Sequence, residues 1–99
     1  MASILTLRRG ATVKNPTYQQ LAAALETLTI EDDEHPDVWL SNEDGWAISA
    51  FAGGLLVLAD DDGNEWELAG VSTQKTLEVW QQLQSGQINK IRQEGWQVR

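Results

Sequence analysis

Two Asp-Gly pairs, at residues 44–45 and 62–63, divide the middle of the chain into short apolar runs. Glycine accepts the positive φ that tight hairpin turns require, so each pair indicates a reversal of chain direction. The runs between residues 37 and 69 are too short for helices and are rich in Trp, Val, Ile and Leu. This pattern predicts a four-stranded antiparallel meander, and the unalternating run 55–58 predicts a central strand covered on both faces.

The segment before the meander predicts one strand and one helix. Residues 4–7 alternate as a strand, and the residues from Gly10 to Lys14 are expected to form a loop. Asn15-Pro16 predicts a helix start, because asparagine caps free N–H groups and proline suits the first helical position. The helix is expected to reach about residue 28, with an apolar stripe formed by Tyr18, Leu21, Leu25 and Leu28.

The segment after the meander predicts a second helix, capped by Ser72 or Thr73 and ended by Gly86. Residues 87–93 predict a further helical turn, and Trp96 is expected to return to the body of the protein. The apolar stripe of the second helix is Leu77, Trp80 and Leu83. Residues 1–99 therefore predict a single α+β domain, with an antiparallel sheet of about five strands and two amphipathic helices on one face.

The acidic residues are unevenly distributed. The chain carries a formal net charge of −8, and 13 of its 15 Asp and Glu residues lie between residues 26 and 67, where there is no Lys or Arg. Such a surface steers a protein towards basic partners and away from nucleic acid and anionic membranes. The alternative is an acidic surface that serves solubility alone.

The usual signatures of catalysis and of bound metals are missing. The chain has no cysteine and one histidine, His35, which predicts neither a zinc site nor a catalytic triad. The turn at 60–64 does not fit a calcium-binding EF-hand loop, since Leu58 and Ala69 would occupy ligand positions. No Gly-rich loop opens a helix, as phosphate binding would require. We expect no enzymatic activity, no cofactor and no metal.

The sequence also bears on location. Residues 1–7 are too poor in apolar residues for a signal peptide, and no run approaches the length of a membrane span. A cytoplasmic protein is the expectation.

Two of the five tryptophans are candidates for a binding surface. Trp66 and Trp80 are expected in the core, whereas Trp39 or Trp46 could be an exposed apolar anchor ringed by acids, as is typical of interface hot spots. The alternative is that all five are structural. The candidate partner-binding residues are Glu31, Asp32, Asp33, Glu34, Trp39, Glu43, Asp44, Trp46, Asp60, Asp61 and Asp62.

The order of these features resembles that of small bacterial immunity proteins, the partners of polymorphic or contact-dependent toxins. The matching features are the helix at 16–25, the strand Val38-Trp-Leu40, Gly45-Trp-Ala-Ile48, the acidic turn with Gly63, Gly70-Val-Ser72, Gly86 and Trp96. The resemblance implies a cytoplasmic α+β domain that binds a toxin and blocks its active site, without catalysis of its own. It assigns no role to any single residue.

Two other classes of function remain open. An acidic surface can imitate nucleic acid and inhibit a DNA- or RNA-binding defence protein. A small structural or adaptor subunit can carry the same acids for solubility. The immunity hypothesis predicts one specific basic partner, whereas the mimic hypothesis predicts several basic partners and competition with DNA.

Overall fold

An antiparallel sheet organises the fold of the protein. The computed structural model describes residues 2–29 and 36–99, which form seven strands and three α-helices. The strands are β1 Ser3–Thr6, β2 Thr12–Lys14, β3 Asp37–Asn42, β4 Ala47–Phe51, β5 Leu55–Ala59, β6 Glu65–Leu68 and β7 Gln97–Val98. The helices are α1 Tyr18–Glu26, α2 Thr73–Gln84 and α3 Ile88–Arg92, and a short 3-10 helix, Thr27–Thr29, follows α1. The predicted α+β class is confirmed.

The predicted number of about five strands is wrong, because two short strands extend the sheet to the order β2-β1-β3-β4-β5-β6-β7. Residues 10–14, expected to be a loop, contain β2, which folds back on β1 through a turn at Gly10 with φ +91°. β7 pairs with β6 at the other edge. Strands of two or three residues are too short to show an alternating pattern, so only the pairing defines them.

One face of the sheet carries the core. Leu5, Leu40, Ile48 and Leu58 lie side by side in register on adjacent strands, and all are buried. The predicted stripe of α2 packs on this face, where Leu77, Trp80 and Leu83 are buried in the same cluster. The indole N–H of Trp80 donates a hydrogen bond to the carbonyl oxygen of Ile48 (3.1 Å), which satisfies its polar atom within the core.

The other face, here called the open face, is the side on which Ile4, Trp39, Ser49, Leu55 and Val57 lie by register. None of these residues belongs to the core cluster. The buried apolar side chains of the described helices do belong to it, so these helices pack on the opposite face. β5 nevertheless has buried residues on both of its faces, as predicted. β5 is an inner strand, but only Leu56 and Leu58 join the core, while Val57, 6% exposed, lies on the open face.

The start of α1 also differs from the prediction. Thr17, not Asn15, is the cap: its hydroxyl accepts from the Gln20 N–H, and the Gln20 side chain accepts from the Thr17 N–H, forming a capping box. Asn15 has φ +50°, and its side-chain oxygen accepts from the Ser3 N–H (2.9 Å). Asn15 thus holds the start of β1 instead of capping the helix. α1 therefore begins at Tyr18, two residues after the predicted start at Pro16. Tyr18 is 52% exposed and is not part of the buried stripe.

The predicted C-terminal elements are confirmed. Ser72 caps α2 by accepting from the Lys75 N–H (3.1 Å), and Gly86 follows the helix with φ +72°. α3 supplies the further helical turn, and Trp96 packs against the core with its indole N–H on the Ile91 carbonyl (2.6 Å). None of the helices in the described ranges is long and apolar enough to cross a membrane.

Candidate partner-binding site

Two turns of the same construction lie at one end of the sheet. Asn42 begins the β3–β4 turn, and its side-chain oxygen accepts from the N–H groups of Asp44 and Trp46, both at 3.0 Å. Asp60 begins the β5–β6 turn, and one of its carboxylate oxygens accepts from Asp62 (3.1 Å) and Asn64 (2.9 Å). In both turns the fourth residue is glycine at positive φ, +90° and +88°. A side-chain oxygen and a glycine thus close each turn.

These turns are in contact. A Cβ placed on Gly45 would lie 2.7 Å from the Asp61 Cγ, so the side chain of Asp61 rests directly against the β3–β4 turn. Both turns lie at the same end of the sheet because two antiparallel strands separate them. The end of the sheet formed by the two turns, here called the acidic end, carries five carboxylates: Glu43, Asp44, Asp60, Asp61 and Asp62.

Within residues 2–29 and 36–99, most of the charge at the acidic end faces solvent and makes no ion pair. Glu43 accepts a hydrogen bond from the Ala2 N–H (3.3 Å), and Asp60 accepts one from the Asn64 side chain (3.0 Å). The ion pairs of the described chain involve Lys75 and Arg99, and none of them includes a carboxylate of the acidic end. The charge is therefore available to an incoming cationic surface.

Hydrogen bonds within the β5–β6 turn affect the pKa of Asp60. The hydrogen bond from the Asn64 side chain lowers the pKa of Asp60 below its ordinary value, and the backbone N–H donors and the positive charge of Arg92 act in the same direction, while desolvation opposes them. The carboxylate form is the one that closes the turn. At neutral pH Asp60 is therefore ionised.

An aromatic cluster adjoins the acidic end on the core face. The rings of Trp46 and Trp66 are stacked, with centroids 6.0 Å apart and an angle of 29° between their planes. The guanidinium carbon of Arg92, on α3, lies 5.8 Å from the Trp46 ring and 5.7 Å from the Trp66 ring. Arg92 thus makes a cation–π contact with both indoles. Both tryptophans are half-buried against the core, so neither is a fully exposed anchor.

The two tryptophans proposed as anchors lie on opposite sides of the sheet. Trp46 adjoins the acidic turns on the core face, whereas Trp39 is half-buried on the open face, in register with Ser49. They cannot both contribute to one flat contact with the acidic end. The remaining predicted residues, Glu31, Asp32, Asp33 and Glu34, lie outside the described residues.

Sequence reasoning missed Arg92 and the placement of Trp66 beside Trp46. Arg92 follows Trp46 by 46 positions and reaches it only through the packing of α3, so nothing local in the sequence marks the contact. Asn42 was also missed. Its position three residues before a glycine, like that of Asp60, was the available signal for a side chain that closes a turn.

Basic residues occupy the opposite end of the sheet. Arg8 and Arg9 belong to the β1–β2 turn, and the Arg8 guanidinium donates to the Thr27 carbonyl. A cleft of about 370 Å³ there is lined by Leu7, Arg8, Arg9, Gly10, Pro36, Asp37 and Trp39. The β1–β2 turn thus places two cations at the end of the sheet away from the two acidic turns, beside Asp37.

Residues 2–29 and 36–99 contain no group of three or more His, Cys, Asp or Glu side chains arranged to hold a metal ion. No protein-family model, curated protein or solved structure matches the chain. The structure itself defines the class of the protein: an α+β protein with one antiparallel sheet and an acidic end.

Proposed function

We propose that the protein is a non-catalytic inhibitor that binds a basic protein partner through its acidic end. The partner we propose is a toxin, neutralised in the cytoplasm in the manner of bacterial immunity proteins. The single observation that carries the proposal is the contact between the two turns at Gly45 and Asp61, which gathers five carboxylates on one small surface.

Electrostatics supports this use of the surface. Toxins that act on nucleic acid need cationic sites for phosphate, and a concentrated acidic surface competes for such a site and accelerates association. Hydrogen bonds within the two turns hold in place the backbone that carries the carboxylates. A surface that is already ordered loses less conformational entropy when the partner docks.

The first experiment is recovery of native partners from the source cells at low and at moderate salt, followed by mass spectrometry. One basic protein retained at moderate salt is the expected result, and a toxicity assay on that protein then tests the inhibitor role. Many basic proteins that are lost together as salt rises, and that DNA displaces, would favour the nucleic-acid mimic instead. No retained protein would contradict inhibition in those cells and favour the adaptor hypothesis.

A matched pair of variants then tests the surface. Asp44→Asn with Asp62→Asn removes one charge from each turn and leaves Asp60 and Glu43 in their hydrogen bonds. Glu26→Gln with Glu78→Gln removes the same charge from exposed positions on α1 and α2. We expect the first pair to slow association with the retained partner about three- to tenfold at low salt, and the control pair to change it less than about twofold. Equal effects would show that the acidic end is not the binding surface.

A further inference from the structure

The open face combines an apolar centre with an unusual charge balance. Trp39, Phe51 and Leu55 are half-buried there, Val57 is buried, and Ile4 is 43% exposed. The charged residues of this face are Lys14, Asp37, Glu65, Glu67 and Arg99, which is two cations against three anions. The chain as a whole carries −8. The acidity of the protein is thus largely kept off this face, as packing against a like-charged molecule would require.

The outward side chains also alternate between large and small in a definite pattern. In one row across the strands, Trp39 lies in register beside Ser49. In the row nearest the acidic end, Ile4 is followed by Ser41, Ala47 and Ala59. The edges of that same row are Lys14 on β2 and Glu65 on β6. Along the row nearest the acidic end, Ile4 and the cation therefore lie on the β1–β2 side, and the two alanines and the anion lie on the β4–β6 side.

From this pattern we infer that the open face binds a second copy of the chain, with the two sheets stacked face to face. A two-fold axis parallel to the strands, between β3 and β4, places Trp39 of each copy opposite Ser49 of the other. The same axis places Ile4 opposite Ala59 and Lys14 opposite Glu65. At these three positions a large residue meets a small one or a cation meets an anion, as an isologous interface requires, while Asp37 lies opposite Phe51 of the other copy. This inference does not depend on the proposed function.

The size of the face sets the strength of the dimer. Six strands about 4.8 Å apart, with about five residues each, cover roughly 500 Å² of flat area per copy. That area is at the small end of specific interfaces, so the dimer dissociates at roughly micromolar concentrations or above. The β3–β4 turns of both copies lie near the axis, and their carboxylates repel across it. Added salt screens this repulsion and tightens the dimer, whereas it weakens attraction between the acidic end and a basic partner.

The test is sedimentation of the full chain from micromolar to millimolar concentration. We expect a reversible monomer–dimer equilibrium that shifts towards dimer as salt rises. Ser49→Arg places a charge opposite Trp39 and should make the protein monomeric. The matched control is Gln81→Arg on the exposed side of α2, which should leave the equilibrium unchanged. Lys14→Glu should weaken the dimer, and Lys14→Glu combined with Glu65→Lys should restore it.

A second measurement does not depend on how well Ser49→Arg folds. The chain has no cysteine, so Ser49→Cys and Gln81→Cys each introduce a single thiol. A short bismaleimide should join two copies through residue 49 and not through residue 81. A protein that stays monomeric at every concentration, or equal cross-linking at both positions, would overturn the inference. A monomer whose binding to a recovered partner is lost in Ser49→Arg would instead assign the open face to that partner.

Discussion

Asn42 and Asp60 hold the same position in two turns of the same construction, but their surroundings differ. Each side-chain oxygen accepts from two backbone N–H groups, and each turn has a glycine three residues later. Asn42 is neutral and accepts from the part-buried N–H of Trp46. Asp60 is charged and accepts from the exposed N–H groups of Asp62 and Asn64. Gly45 is covered by Asp61, while Gly63 has open space around it.

The comparison shows that the groups that close a turn are not the ones that decide how much the turn contributes to stability. One side-chain oxygen and one glycine are enough to close the chain, and either Asn or Asp supplies the oxygen. The neighbours decide how much the protein depends on the turn. The β3–β4 turn is joined to the core through Trp46, and the β5–β6 turn mainly presents charge to solvent.

The largest difference is expected at the two glycines. Gly63→Ala forces alanine to a positive φ and should cost about 1–2 kcal/mol of unfolding free energy. Gly45→Ala bears the same strain and also places a methyl group against the Asp61 side chain, so the loss should reach about 2–3 kcal/mol. Urea unfolding of both variants measures the difference. Gly45→Ala combined with Asp61→Ala removes the two shortest contacts, those with the Asp61 Cγ and Oδ2, and should return most of the way to the value of Gly63→Ala. Equal losses in the two single variants would show that the contact between the turns carries no energy.

Removal of the turn oxygens should give a smaller and still unequal effect. Asn42→Ala leaves the part-buried Trp46 N–H without its acceptor and should cost about 1–2 kcal/mol. In Asp60→Ala the N–H groups of Asp62 and Asn64 lose their acceptor, but they are exposed and water takes its place. The loss of unfolding free energy should therefore be smaller. Thermal unfolding of the two variants checks the order. A larger loss from Asp60→Ala would mean that the β5–β6 turn, not the β3–β4 turn, supports the sheet.

The smallest effect is expected from the charge itself. Hydrogen bonding lowers the pKa of Asp60 in the folded protein, so the carboxylate contributes stability above its unfolded pKa. This contribution is lost as pH falls below the ordinary aspartate pKa of about 4 and through the lower folded pKa. The difference in urea midpoint between the native chain and Asp60→Asn should therefore shrink over that range. Asn42 has no titrating group, so the difference between the native chain and Asn42→Ala should show no comparable change. A constant difference for Asp60→Asn would contradict the assigned shift.

Much of the meander could be predicted because its signals are local. The Asp-Gly pairs mark two hairpin turns. Ser72 marks the start of α2, because its side-chain oxygen accepts from the N–H of Lys75, three residues further along the chain. Two antiparallel strands separate the acidic turns, which is enough to place both turns at the same end of the sheet. These features depend on neighbours in sequence, so a single chain is enough to find them.

Most of the features that were missed depend on residues far apart in sequence. β7 pairs with the distant β6, and Asn15 was assigned to α1 although it binds Ser3. β2 is the exception, because it pairs with the adjacent β1 but is too short to show an alternating pattern. The contact of Arg92 with Trp46 and Trp66 arises only when α3 packs on the sheet. Which tryptophan adjoins the acidic end depends on the face it occupies. The alternation of β3 and β4 gives the relative faces, but not the position of the helices.

The strand order has a consequence for the way the chain folds. Strands β3 to β7 pair in sequence order, but β1 must pair with β3 across α1, so that Ser3 lies opposite Asn42. Pairings over short loops form early, and distant ones pay a larger loop-closure cost. We expect the hairpins of the meander to form first and the β1–β2 hairpin to dock last. Until it docks, the edge of β3 has unpaired N–H and C=O groups beside the apolar residues Val38 and Leu40, and intermediates that expose this edge are the ones prone to aggregate.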